Sequence, residues 1–220
     1  MLLKDLIKNL PKEKKKIRVK GLSIDSKKTK QGFIFFAIKG NKFNGEKYIS
    51  EAIKKGSIAI VCSKTCNFKS KKIPIIRTSN VRYSLSEFCS KFYRFKPKNI
   101  IAITGTNGKT SVTSMLFALF QKLGHSCGLV STIDIRVGNE VLKTSHTTPD
   151  AMQLHKVFHQ MKSKGVVFCF MEASSHGIHQ FRLSGIDVDA AVFTNLTQDH
   201  LDYHQTFAQY RDAKKMLLIK

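Results

Sequence analysis

The sequence predicts an α/β protein in two consecutive units. A small α/β unit covers residues 1–97, and a parallel-sheet unit of phosphate-loop type covers residues 98–220. Three observations carry that prediction. Short apolar runs alternate with helically spaced ones along all 220 residues, a length that suits one large domain or two small ones. A Lys96-Pro97-Lys98 break separates stretches of very different charge. Directly after it, an apolar run leads into a glycine-containing turn and then an amphipathic stretch.

The elements follow in order. Residues 2–10 read as a helix stopped by Pro11, which cannot continue one. Residues 21–24, 33–38, 57–61 and 74–77 are short runs of strand-favouring residues, with a helix at 49–55 between the second and third. In 81–92, Leu85, Phe88, Cys89 and Phe92 recur at spacings of three and four, the period of one helix face. Past Pro97, residues 100–103 form a buried-strand run, and the next helix carries Val112, Met115, Leu116, Leu119, Phe120 and Leu123 on one face. Residues 166–171 and 189–194 are further strands, giving the alternation of a parallel sheet with crossover helices. No repeat or low-complexity linker interrupts it.

Composition excludes several classes. With 42% hydrophobic and 24% charged residues the chain is not wholly disordered. No apolar run approaches the roughly 18 residues of a membrane span. Met1-Leu2-Leu3-Lys4-Asp5 meets charge before any apolar stretch forms, so no signal peptide is visible and a cytoplasmic location is expected. The five cysteines are odd in number and fall in no zinc or redox spacing, which predicts buried free thiols.

The net charge of +23 raises nucleic acid as a partner. Residues 1–98 hold 26 Lys/Arg against 6 Asp/Glu, and residues 99–220 hold 12 against 9, so the excess is confined to the first unit. It is nearly all lysine, 31 against 7 arginines, whereas arginine is the usual reader of phosphates and bases. No basic helix with interleaved aromatics is present. No specific nucleic-acid partner is therefore expected, and the lysine runs at 12–16 and 69–72 read as solvated loops, with an anion-attracting surface as the alternative.

The strongest local signal is Thr104-Gly105-Thr106-Asn107-Gly108-Lys109-Thr110-Ser111 between strand and helix. Glycines let backbone N–H groups approach phosphate oxygens, and the helix N-terminus adds a favourable dipole. Lys109 can reach terminal phosphates and Thr110 can offer a hydroxyl to Mg²⁺. Ile103 stands where the first glycine of the common loop would be, leaving the shorter Gly-x-x-Gly-Lys-Thr form. Glu172 follows an apolar strand at the sheet edge where ligands gather, and a carboxylate there suits a hard cation; a solvated strand-end acid is the plain alternative. His200 follows strand 189–194; among eight histidines, a surface or core role is the default.

The loop at 104–111 resembles the ATP loop of the Mur ligases and their folylpolyglutamate synthetase relatives. Ser23-Ile24-Asp25-Ser26, Gly32-Phe33-Ile34-Phe35-Phe36-Ala37-Ile38-Lys39-Gly40 and Asn44-Gly45 resemble the uridine-binding N-terminal domain of the third and fourth amino-acid-adding Mur ligases. His146-Thr147-Thr148-Pro149-Asp150 resembles the substrate loop of the third. So do Glu172-Ala173-Ser174-Ser175-His176-Gly177, Arg182, and Phe193-Thr194-Asn195-Leu196-Thr197-Gln198-Asp199-His200-Leu201-Asp202-Tyr203-His204. The segments span the chain in the family's order.

The resemblance implies ATP and Mg²⁺ as cofactors and UDP-N-acetylmuramoyl-dipeptide as substrate, in peptidoglycan synthesis. It implies nucleotide contacts from Gly105 through Ser111, and catalytic roles for Lys109, Glu172, His200 and Lys214. Metal ligands would be Thr110, Glu172, His200 and a carbamylated Lys214. A lysine made neutral by nearby cations can add carbon dioxide; a helix-surface lysine, with Lys215 beside it, is the alternative. Ile24 and Ser26 match uridine contacts, and Asn41, Lys42 and Phe43 match the loop at the uridine diphosphate. Thr147, Thr148, Ser174, Gln180 and Arg182 match positions holding the muramoyl-dipeptide; ordinary loop hydrogen bonding is the alternative for Ser174 and Gln180. His146 stands where asparagine is more usual, and its role stays open. His176, His179 and His204 are lesser candidates.

The implied reaction is amide formation through an acyl phosphate, a step that needs charge neutralisation and alignment more than covalent help. Family members carry further ATP-domain sequence and an amino-acid-binding domain, so the resemblance implies a partial enzyme with an incomplete second sheet. The diamino acid would be a partner only with the missing domain supplied. The competing readings are a noncatalytic fragment that binds nucleotide and UDP-sugar, and a folylpolyglutamate-synthetase-like ligase.

Overall fold

In a computed structural model, which describes residues 1–7, 10–40, 43–144 and 146–219, the apolar runs of the first unit line up as one parallel sheet. The chain divides into Met1–Phe92 and Tyr93–Lys220, ahead of the Lys96-Pro97-Lys98 break. In the first unit the strands β1 (Gly21–Ser23), β2 (Phe33–Phe36), β3 (Ala59–Ser63) and β4 (Ile75–Thr78) lie in sequence order, every pair parallel. Phe35, Ile60 and Cys62 pack with Ile49 and Ala52 of helix α2 (Ile49–Lys54). Burying such large apolar side chains contributes about 1.5–3 kcal/mol each. Helix α3 (Val81–Tyr93) closes the unit, with Leu85 and Cys89 buried as its spacing requires.

Two expectations for this unit need correction. Strand β3 starts at Ala59 rather than Ser57, whose backbone N–H donates to Ala52 O of α2 instead of to a neighbouring strand. The helix expected at 2–10 is a single turn, α1 (Leu3–Leu6), after which Ile7 is extended. The N–H of Leu3 donates to Ile17 O and that of Val19 to Met1 O, so the start of the chain spends its backbone groups on residues 17–19.

The second unit holds six strands. In spatial order they are β10 (Ala190–Phe193), β5 (Asn99–Thr104), β9 (Phe168–Glu172), β6 (Cys127–Val130), β7 (Ile135–Val137) and β8 (Glu140–Leu142). The first four are parallel; β7 and β8 are an antiparallel edge hairpin that helix–strand alternation did not predict. Its two-residue turn, Gly138-Asn139, has φ +61° at the glycine, the backbone twist that tight hairpins need. The central strands alternate faces. Ile100, Ala102, Cys169 and Met171 meet Leu154, Phe158 and Met161 of helix α5 (Ala151–Ser163). Phe170 and Leu129 meet Phe117 of helix α4 (Lys109–Lys122) on the other side.

The packed face of α4 is only partly the one expected: Leu116 and Phe120 pack against the core as expected. Thr113 and Phe117 are its buried residues, while Met115, Leu119 and Leu123 are 69%, 52% and 62% exposed. Thr113 can be buried because its hydroxyl donates to Lys109 O at 2.6 Å, a solution that an apolar-only pattern misses. The unit is completed by α6 (Ser175–His179), α7 (Leu201–His204) and α8 (Phe207–Leu218). All five cysteines are buried and free, as expected. Among the described residues, no helix is long and apolar enough to cross a membrane.

Candidate functional site

The loop between β5 and α4 lies at the carboxyl end of the central strands. Gly105 has φ +149° and lies so close to Thr194 that a Cβ would collide with its Oγ1; Gly108 has φ +81° as it starts α4. Both positions therefore require glycine. The residues after β10 latch the loop. Thr194 Oγ1 donates to Asn107 O (2.7 Å), Thr106 N donates to Asn195 O (2.9 Å), and Asn107 N donates to Asn195 Oδ1 (3.0 Å). Thr106 Oγ1 lies 2.9 Å from the Tyr210 hydroxyl. Motif reading assigned no individual role to Thr194, Asn195 or Tyr210.

Two lysines converge on this loop. Lys109 Nζ donates to Gly105 O (3.0 Å) and Thr106 O (2.7 Å), while Lys214 Nζ donates to the same Gly105 O at 2.6 Å. Lys214 is 1% exposed and lies 4.5 Å from the centroid of the Tyr210 ring, whereas Lys215 is exposed. The helix explains the difference: Tyr210, Ala213, Lys214 and Leu217 share the buried face of α8. That spacing is readable in the sequence. Burial, then the charge of Lys109, lowers the Lys214 amine to about 8. Burial also lowers Lys109, opposed by the carboxylates of Glu172 and Asp199. Two ammonium groups on one carbonyl form a concentrated positive site, suited to phosphate oxygens.

Glu172 ends β9 next to this loop and is fully buried. Thr132 holds both of its oxygens, through its N–H to Oε1 (2.8 Å) and its hydroxyl to Oε2 (3.0 Å). Thr132 Oγ1 lies 3.1 Å from Thr147 Oγ1. The Thr148 hydroxyl lies 2.9 Å from Glu172 O and 3.1 Å from Ser174 Oγ, and it accepts from Ser174 N (2.9 Å). Arg182 donates to Thr148 O and to Gln180 Oε1 (2.9 Å), and Gln180 Nε2 donates to the Tyr203 hydroxyl (3.2 Å). Four candidates for the dipeptide thus share one network with Thr148 at its centre.

A cavity of about 440 Å³ joins the two groups. Lys109, Lys214, His200, Thr147, Thr148, Ser174 and Arg182 line it, together with Thr132, Thr144, His146, Ser175 and His176. Glu172 reaches this wall through Thr132. Of the residues expected in this site, the cavity lining does not include Gly105, Thr106, Asn107, Gly108, Thr110, Ser111, Glu172 or Gln180. His200 is left-handed, φ +52°, at the start of α7, a sparsely populated conformation for a residue with a side chain. Its ring centroid lies 4.8 Å from that of His176, which lies 5.5 Å from that of His204. Burial and neighbouring cationic side chains push His204 down to about 4.

Among the described residues, no three His, Cys, Asp or Glu side chains form a metal cage. Of the proposed donors, the Glu172 carboxylate and the Thr110 hydroxyl are oxygen groups of the kind that suits Mg²⁺, which relies on one or two carboxylates with phosphate and water oxygens. Lys214 as an ammonium does not fit; as a carbamate anion it does.

The first unit holds a separate pocket of about 410 Å³. Ile24, Ser26 and Phe43 line it with Asp25, Lys27, Phe35, Ile38, Gly45 and Tyr48. Phe43, Tyr48 and Ile24 are 73%, 43% and 41% exposed, so apolar surface is available to a planar ring. The Ser26 hydroxyl donates to Glu51 Oε2 at 2.8 Å. Asn41 and Lys42 lie outside the described residues.

Two family models match the chain: the Mur ligase middle domain over residues 103–220, and the Mur ligase family catalytic domain over residues 18–93. A UDP-N-acetylmuramoyl-L-alanyl-D-glutamate–2,6-diaminopimelate ligase of Clostridium botulinum is 40% identical over 221 residues, 99% of this chain and 46% of its own length. The ligase of that name from Parabacteroides distasonis is 37% identical over 201 residues, 90% of this chain and 41% of its own. The chain spans less than half the length of these curated relatives. A solved structure of a ligase of the same name has a TM-score of 0.85 at 30% identity, over 99% of this chain and 44% of that one. The MurF ligase of Thermotoga maritima in complex with ADP, at 22% identity and a TM-score of 0.58 over 91% of this chain and 43% of that one, shares the fold.

Proposed function

Because the chain belongs to the Mur ligase family, we propose that it carries the ATP- and UDP-substrate-binding portion of a cytoplasmic ligase that extends UDP-N-acetylmuramoyl-L-alanyl-D-glutamate by one amino acid. The observation that carries this reading is the single cavity in which Lys109 and Lys214 face Thr148, Ser174 and Arg182. Phosphate-binding cations and a carboxylate-binding arginine meet there, as joining a carboxylate to a phosphoryl group requires.

In this reading the backbone N–H groups from Gly105 to Ser111 and the Lys109 ammonium bind the ATP phosphates. Arg182, Gln180, Ser174, Thr147 and Thr148 hold the dipeptide so that its free glutamyl carboxylate points at the γ-phosphate. Attack gives an acyl phosphate and ADP; the incoming amine then displaces phosphate. Glu172, Thr110, His200 and carbamylated Lys214 would hold Mg²⁺, which supplies charge neutralisation to the phosphates. Lowering the buried Lys214 amine to about 8 raises the fraction of the neutral form that adds carbon dioxide. In the first unit, the pocket at Ile24, Ser26, Phe43 and Tyr48 takes the uridine.

A trapping assay tests this without the final amino acid. ATP, Mg²⁺, the UDP-dipeptide and hydroxylamine are supplied, and the acyl phosphate is captured as a hydroxamate. Hydroxamate and ADP should form together, require both substrates, and fall at least about a hundredfold in Lys109→Ala. Binding of both ligands without ADP or hydroxamate would instead support the noncatalytic fragment.

A further inference from the structure

One side chain, Thr132, links the Glu172 carboxylate to Thr147 of the proposed dipeptide site. Thr132 follows β6 and lies in the cavity wall; its N–H and hydroxyl hold opposite oxygens of the Glu172 carboxylate. A carboxylate only accepts hydrogen bonds, and a threonine hydroxyl has one proton to give. That one proton faces two acceptors, Glu172 Oε2 at 3.0 Å and Thr147 Oγ1 at 3.1 Å. The Thr132 proton is thus shared between the Glu172 carboxylate and the Thr147 hydroxyl.

We propose that Thr132 is a positioning residue that fixes the Glu172 carboxylate for the cation and couples cation affinity to occupancy of the substrate loop at Thr147. The proposal rests on the reading of Glu172 as a cation ligand. Glu172 is fully buried, so its orientation is set by its hydrogen-bond partners rather than by water. A ligand that takes up the Thr147 oxygen changes how far the Thr132 proton is drawn from Glu172, and with it the electron density on Oε2. Groups that orient metal ligands typically change metal affinity by about 10- to 100-fold when removed.

The experiment uses the full-length gene product carrying this sequence, with Mn²⁺ as the probe and bound ion followed by water-proton relaxation. Titrations are run with ADP present, with and without UDP-N-acetylmuramoyl-L-alanyl-D-glutamate. Native protein should bind Mn²⁺ about fivefold or more differently when the UDP-dipeptide is added. Thr132→Val keeps the backbone N–H and the shape but loses the hydroxyl. It should bind Mn²⁺ about tenfold more weakly and lose the substrate effect, and Thr132→Ser should restore both. Thr132→Ala replaces the valine variant if circular dichroism shows that the latter does not fold.

Native-like Mn²⁺ affinity in Thr132→Val overturns the positioning role, provided Glu172→Gln binds weakly. If Glu172→Gln also binds like the native protein, the reading of Glu172 has failed instead. Weakened binding with the substrate effect intact, or no substrate effect in the native protein, overturns the coupling to Thr147. Failure of serine to restore what valine removes assigns the loss to packing and overturns the role of the hydroxyl.

Discussion

At Lys214 an ammonium group is 1% exposed and shares the carbonyl of Gly105 with a second ammonium, that of Lys109. Neutralising the amine relieves both its desolvation and its repulsion, and carbamylation goes further by reversing its sign. The direction of the pH dependence follows. With the amine at about 8, protonation removes the nucleophile as pH falls below that value, by about tenfold in neutral fraction for each unit. Carbon-13 NMR in labelled bicarbonate should show a carbamate signal that fades from about pH 8 towards pH 6. The signal should vanish in Lys214→Arg and persist in Lys215→Arg, whose target side chain is exposed. A signal that survives Lys214→Arg would place the carbamate elsewhere.

Helix α5 carries a different acid response. His155 is 6% exposed on its buried face, and burial pushes the imidazole from 6.5 down to about 4, opposed by a hydrogen bond with the Ser184 backbone. Its native form is the neutral ring. Between about pH 6.5 and 4 the unfolded chain binds this proton and the folded chain does not. Stability is therefore complete above that window and lost as pH falls through it, by about 3 kcal/mol at most. Urea unfolding of His155→Leu should show a shallower decline over that range than native protein, despite a lower plateau from the lost Ser184 bond. Equal slopes would remove His155 as a source of acid lability. Elements also show where sequence legibility ends. Strand β5, its glycine loop and α4 were readable because phosphate-loop chemistry and apolar runs mark them locally. The contacting face of α4 was legible at Leu116 and Phe120 but not at Thr113, which satisfies its own hydroxyl. The latch by Thr194 and Asn195 was not, since it joins residues about ninety positions apart. The buried side of Lys214 was legible in the spacing of Tyr210, Ala213 and Leu217, had a charged residue been allowed on an apolar face.

Across the whole molecule, charge and chemistry are divided between the two units. Residues 1–98 hold most of the net charge of +23, and the pocket in that unit combines exposed Phe43 and Tyr48 with Lys27, which suits a planar base bearing phosphates. The second unit is nearly balanced in charge, and two of the twelve Lys/Arg in residues 99–220 converge on Gly105. A diffuse basic surface would respond to any polyanion, whereas two built pockets respond to two ligands in two places. Hydrogen exchange read by mass spectrometry separates these cases. Uridine diphosphate should protect backbone amides at 21–28 and 33–48, while ATP with Mg²⁺ should protect 104–112 and 194–200. Each ligand at about a hundred times its dissociation constant should add about 2.7 kcal/mol to the opening free energy of the amides it guards when those amides open only with ligand released. Heparin, a polyanion with no base to stack, should leave both sets unprotected. Protection of 33–48 by heparin as strong as that by uridine diphosphate would return the lysine excess to a general anion-binding role and remove the nucleoside specificity assigned to Ile24, Phe43 and Tyr48.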